Sequence, residues 1–197
     1  MLQQKNKVEL RILTETDVRD YAENRLPAED YSAVEETLLE DDRARRLVNL
    51  HAAPIQGLPV AGEFKDRLRD VLRSCRGCIV SYELLSRAKG PETLKKFGAS
   101  RFSERWRLLD EVARVAEPGQ ENHAAALKVH GNPIEKVGVA DMVNVAREHD
   151  FLLAEALHEA FEATKTPGWK AQIAEWISAV RNDIGEILWL KSAFRTQ

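Results

Sequence analysis

Apolar residues recur along most of this chain at intervals of three and four, the spacing of amphipathic helices. No stretch after residue 12 alternates as a strand would. Residues 1–12 read as a loose or extended arm. Thr14 or Thr16 can cap a helix that runs through Val18 and Tyr21 to about Asn24. Asn24-Arg25-Leu26-Pro27 is a turn, and Pro27 suits the first turn of the next helix. That helix carries Tyr31, Val34, Leu38 and Leu39 and runs into an acidic patch, Glu40-Asp41-Asp42. A third, short helix holds Leu47, Val48 and Leu50. Pro54, Gly57, Pro59 and Gly62 mark residues 51–62 as a linker.

From Glu63 the segments lengthen. One helix spans about Glu63 to Ala88 and stops at Gly90-Pro91. A second runs from about Pro91 to Glu117, with a break expected near Gly98–Ser100, and Pro118-Gly119 ends it. A short helical piece from Gln120 to His130 follows, closed by Gly131-Asn132-Pro133. A third long helix covers about Val139 to Ala163. Pro167-Gly168 separates it from a fourth that reaches about Phe194. Short turns between long helices make neighbours antiparallel. The expected architecture is therefore all-α: a small N-terminal helical unit (1–50), a linker (51–62) and an antiparallel four-helix bundle (63–197).

Composition narrows the function. Of 197 residues, 44% are hydrophobic and 31% charged, a balance that suits a packed globular chain. The formal net charge is -3 with both signs interspersed, so no basic face for nucleic acid is evident. No apolar run approaches the roughly 20 residues of a membrane span. The first residues, MLQQKNKVELRIL, lack the apolar core of a signal peptide. Two cysteines cannot build a disulfide framework. A cytoplasmic protein without a membrane or nucleic-acid role is expected.

Three runs, LRDVLRSCRGCIVSYELLSRA, VAREHDFLLAEALHEAFEA and QIAEWISAVRNDIGEILWLKS, resemble in order, length and pattern the helices of ferritin-like bundles. The likeness is to small bacterial stress-associated members with no assigned activity, and it covers residues 63–194. It implies a ferritin-like shape and an accessory role in stress. The bundle pattern, the apolar interior and the separate N-terminal unit point to action through a protein partner or self-association, and 7% aromatic residues with wide apolar faces on the first and fourth long helices admit a homodimer. A shorter run, TETDVRDYAENRLPAEDYSAVEETLLEDDRARRLV, is similar to the N-terminal helical unit of bacterial anti-sigma factors. That resemblance implies a regulatory binding module. Its zinc-binding members need a His and two Cys, and residues 14–50 contain no Cys.

Ferritin-like oxidases hold two irons with a Glu from each of two helices and a Glu-x-x-His pair from each of the others. The chain has one literal match, Glu155-Ala-Leu-His158. At about 100° per residue, Met142, Val145, Ala146, Leu152, Leu153, Ala156, Leu157 and Ala160 form one broad apolar face. Glu155 and His158 fall on its far side, toward solvent or a partner. His149 falls within the face. Such a His is ordinarily a core residue with one hydrogen bond. The functional alternative is a metal ligand, helped by Glu83 and Asp183 at the flanks of their own helices. Ile173, Ile177, Val180, Ile184 and Ile187 on one helix, and Phe102, Trp106, Leu109 and Ala113 on another, leave the rest of the interior apolar. A complete di-iron centre needs about four carboxylates, so ferroxidase activity is not expected. No cofactor is expected beyond iron or another transition metal at His149, Glu83 and Asp183, where an oxidase or metal-storage role stands as the alternative.

Cys75-Arg76-Gly77-Cys78 lies mid-helix with both sulfurs near the apolar face, as small buried hydrophobes do. His123 and His130 share one face of a solvated short helix. Trp106, Trp169 and Trp176 are expected at bundle ends and seams. Trp189 lies off the core stripe, as an interface residue would. No phosphate loop, catalytic triad or nucleophile elbow is present, and whether the protein is an enzyme stays open at this point.

Overall fold

The computed structural model describes residues 13–55, 58, 60–118 and 138–194. The regular elements there are all helical: α1 (Glu15–Ala22), a 3₁₀ turn (Ala28–Asp30), α2 (Tyr31–Glu40), α3 (Asp42–His51), α4 (Gly62–Arg87), α5 (Glu92–Ala116), α6 (Val139–Ala163) and α7 (Pro167–Phe194). None of these helices is long and apolar enough to cross a membrane. The arm before residue 13 and the 120–130 piece with His123 and His130 lie outside the described residues.

Local chemistry sets the helix starts. Thr14 Oγ accepts from the Asp17 amide at 3.2 Å, and the Asp17 carboxylate accepts from the Thr14 amide at 2.8 Å. This reciprocal capping box makes Thr14, not Thr16, the first cap. Asp41 caps α3 by accepting from the Arg43 amide at 2.8 Å.

α4 to α7 pack side by side. Along α4 the buried residues Leu68, Val71, Cys75, Cys78, Tyr82 and Leu85 alternate by three and four, a heptad seam. α4 lies between α5 and α6, and α7 packs on α6. Tyr82 meets Phe97 edge-to-face at 5.8 Å, so α4 and α5 are antiparallel. Arg67 pairs with Glu159 at 2.7 Å while Tyr82 bonds Asp150, so α4 and α6 are antiparallel too. Asp150 and Asp183 share one arginine, and Lys191 bonds Asn144, which makes α6 and α7 antiparallel. α5 and α6 therefore point the same way, and the end of α5 and the start of α6 lie at opposite ends of the assembly.

Two expectations need correction. α5 is unbroken at Gly98. A Cβ there would stand 2.8 Å from the Ser86 nitrogen, so glycine lets the α5 backbone close on α4. The buried face of α6 is rotated from the expected one: Val145 and Leu152 are exposed, while Val143, Asp150 and Phe161 are buried.

The N-terminal unit is docked on the long helices. Val34, Leu38 and Val48 are fully buried, in a core that runs without interruption to Leu190. α2 and α3 lie on α7, where buried Arg45 donates to Ser178 Oγ at 3.3 Å and Arg181 pairs with Glu40 at 3.3 Å.

Candidate functional site

At one level across the four long helices a polar residue from each meets the others: Tyr82 on α4, Arg105 on α5, Asp150 on α6 and Asp183 on α7. Each sits on the core stripe of its helix. Asp150, for example, continues the series Val143, Ala146, Asp150, Leu153, Leu157, Ala160. Asp150 is 0% exposed, Arg105 2% and Asp183 4%.

These side chains satisfy one another. Arg105 donates to Asp150 Oδ1 through Nε at 3.1 Å and Nη2 at 3.0 Å, and its Nη2 also donates to Asp183 Oδ2 at 2.6 Å. The Tyr82 hydroxyl donates to Asp150 Oδ2. A turn away on α5, Arg101 Nε lies 3.1 Å from Asp183 Oδ1, an ion-pair contact without hydrogen-bond geometry. Arg101 also donates to Glu186 at 2.7 Å and to Glu104, at the solvent edge. Two guanidiniums thus face two buried carboxylates, and the layer is close to neutral.

Electrostatics follow from burial and this pairing. Burial alone would lower Arg105, but Asp150 and Asp183 hold it above its ordinary value. Burial lifts Asp183 to about 6, although Arg105 and Arg101 pull it back. Burial, then Asp150, raises Tyr82. Desolvation pushes Cys75 up to about 12 and raises Cys78 as well. Both thiols are free and protonated at neutral pH, so neither serves as a nucleophile. The layer can fix four helices and hold charge, but it offers no activated nucleophile.

One side opens. α5 and α7 touch sparsely, and a cleft of about 320 Å³ between them reaches Arg105, lined also by Glu104, Leu108, Glu111, Glu175 and Trp176. Toward the end of α5 a wider cleft of about 820 Å³ is lined by Ile55, Val60, Val115, Trp169 and Trp176, with Lys65 and Arg114 among the polar groups.

The residues expected to bind metal are dispersed. Asp183 is held by Arg105 and Arg101. Glu83 pairs with Arg87 at 2.6 Å. His149 is half-buried against Gly77, where a Cβ would meet its ring at 3.4 Å, and its Nδ1 has no hydrogen-bond partner. Among the described residues no group of three or more His, Cys, Asp or Glu could hold a metal ion.

Sequence reasoning missed Asp150, Arg101 and Arg105 and took Tyr82 as core filling. The signal was present: all but Arg101 keep strict heptad register with buried apolar neighbours. No family model, curated protein or solved structure matches the chain.

Proposed function

We propose that this protein is a non-catalytic helical scaffold that acts by associating with protein, and that α4 to α7 form a ferritin-like bundle with an ion-pair layer in place of a metal centre. The observation that carries this reading is the occupancy of the two buried carboxylates. A ferritin-like centre needs inward carboxylates with free lone pairs. Here Asp150 and Asp183 give theirs to Arg105 and Tyr82. A divalent ion would also meet the Arg105 guanidinium, buried with its positive charge fixed. The raised thiols, which leave the central layer without an activated nucleophile among the described residues, support the non-catalytic half of the reading. The apolar faces of α2 and α3 are spent on the shared core, which favours a structural role for residues 14–50 over docking of a regulatory partner there.

The test is elemental analysis of protein purified without a metal column and then incubated with iron, manganese and zinc. The expected result is far less than one transition-metal ion per chain. About one ion per chain, lost on His149→Ala, would overturn the reading in favour of a metal-dependent oxidase or storage protein.

A further inference from the structure

α5 and α7 touch sparsely, and the cleft of about 820 Å³ lies between them at the end of α5. The starts of α4 and α7 reach the same end of the molecule, where Phe64 meets Trp169 edge-to-face at 5.6 Å. The chain between α3 and α4 adds a wall. A Cβ on Gly168 would stand 2.8 Å from Ile55 Cγ2, so glycine lets that chain lie close on the first turn of α7. Ile55, Val60, Val115, Trp169 and Trp176 give the cleft an apolar lining. Its polar groups are few: Lys65, Glu111, Arg114 and Gln172. An apolar concavity of roughly 300–1,000 Å³ with a small number of placed polar groups is the usual form of a small-molecule site.

We propose that this cleft binds a small apolar monocarboxylate, with its body against Trp169 and Trp176 and its carboxylate at Lys65. The proposal goes beyond the scaffold reading and does not depend on it. Charge sets the sign of the ligand. Lys65 is half-buried and takes part in no ion pair among the described residues. The antiparallel register fixed by Tyr82 and Phe97 puts Lys65 level with Arg114. Arg114 pairs with Asp110 at 3.1 Å, but both side chains are exposed, and such a pair holds a cation weakly. The starts of α4 and α7 add positive partial charge, and α4 has no side-chain cap on its first amides. Against them stand the negative end of α5 and Glu111. Glu111 lies one turn nearer the molecule's centre than Arg114 and also has no ion pair among the described residues. It repels a second anionic group, so the ligand carries charge at one end only. The tryptophans set the rest. Trp176 is half-buried against the core and lines the cleft, so it offers a large apolar surface at little cost in side-chain order.

Isothermal titration calorimetry on the full chain tests the site, with naphthoate as the probe. Naphthalenemethanol is its neutral counterpart and naphthalenedicarboxylate its doubly charged one. Naphthoate is expected to bind once per chain with a Kd of about 0.1 mM. The alcohol and the dicarboxylate should each bind at least about tenfold more weakly, for want of the charge-assisted bond and by repulsion at Glu111. Lys65→Gln and Trp176→Ala should each weaken naphthoate by about tenfold, with folding checked by circular dichroism. Lys65 lies outside the core, so Lys65→Gln keeps the test open even if the tryptophan variant unfolds. A wild type that binds no naphthoate at about 10 mM, a hundred times the expected Kd, overturns the proposal. So does an alcohol that binds as tightly as the carboxylate, or an affinity indifferent to Lys65→Gln. Metal content is measured separately. A cleft that binds nothing therefore leaves the scaffold reading standing, and a metal found in the bundle leaves the cleft proposal standing.

Discussion

Among the described residues two polar clusters each combine a tyrosine, a carboxylate and a cation. The central one joins Tyr82, Asp150, Arg105 and Asp183 across the four long helices. The other joins the N-terminal unit to α7: Tyr21 donates to Glu35 at 3.2 Å, and Lys170 donates to the other oxygen of Glu35 at 3.0 Å. They differ in where water stops. Asp150 is sealed, whereas the Glu35 side chain keeps 23% of its exposure. A sealed charge that loses its partner has nowhere to turn, while an edge charge can take up water. The first cluster should therefore act as an all-or-nothing layer and the second as a clasp. Three measurements bear on this contrast.

The largest effect is expected at the sealed layer. Asp150→Ala leaves Arg105 short of its main partner and Tyr82 without an acceptor, and should cost about 3–5 kcal/mol, read from urea unfolding by circular dichroism. Replacing the whole layer together, as Tyr82→Phe, Arg105→Met, Asp150→Leu and Asp183→Leu, should instead leave stability within about 2 kcal/mol of wild type or raise it. If the fourfold variant is as unstable as Asp150→Ala, the layer contributes net stability, and the all-or-nothing account fails.

An intermediate effect should appear with pH at Asp183. Its native carboxyl titrates near 6, raised chiefly by burial, against about 3.9 in an unfolded chain. Between those values the native state holds a proton that the unfolded state has released. Stability from this group is then complete near pH 4 and is lost as pH rises through 6. The stability of wild type relative to Asp183→Asn should fall by up to about 3 kcal/mol between pH 4 and pH 7. A relative stability that grows with pH would mean that the two guanidiniums outweigh burial.

The same contrast explains what could be read from the sequence. The long helices were legible, because Gly90-Pro91 and Pro167 mark chain turns and the apolar spacing between them is helical. α6 spans Val139–Ala163, as expected. The Trp189 exposure was legible as well, since it falls off the stripe of Ile177, Val180, Ile184 and Ile187. The central layer was not. Val145 and Leu152 drew the apparent core face of α6 toward the outer surface, and that rotation put His149 inside and left Asp150 out of view. Local pattern cannot separate an apolar residue that faces the core from one exposed on the outer surface. Nor can it show that Asp150 will meet an arginine 45 residues earlier in the chain. Pairing between helices supplies the compensation that makes a charge tolerable on a core stripe, and only the assembled fold displays it.

The smallest effect, and the sharpest check of the clasp, is Lys170→Met. Lys170 is 3% exposed, and its ammonium also lies 4.2 Å over the Phe161 ring. By burial alone the cost would match that at Asp150. The partner left behind decides otherwise: Glu35 keeps its bond from Tyr21 and can reach water, so no sealed charge is stranded. Methionine gives up the ammonium–ring contact with Phe161 but keeps an apolar side chain of similar length. The expected cost is about 1 kcal/mol, the scale of a single hydrogen bond rather than of a broken buried pair. Protease digestion gives the complementary readout, with cleavage around residues 51–55 rising while the long helices stay resistant. A cost near that of Asp150→Ala would show that the N-terminal junction is sealed as tightly as the central layer, and that the two clusters differ in position only.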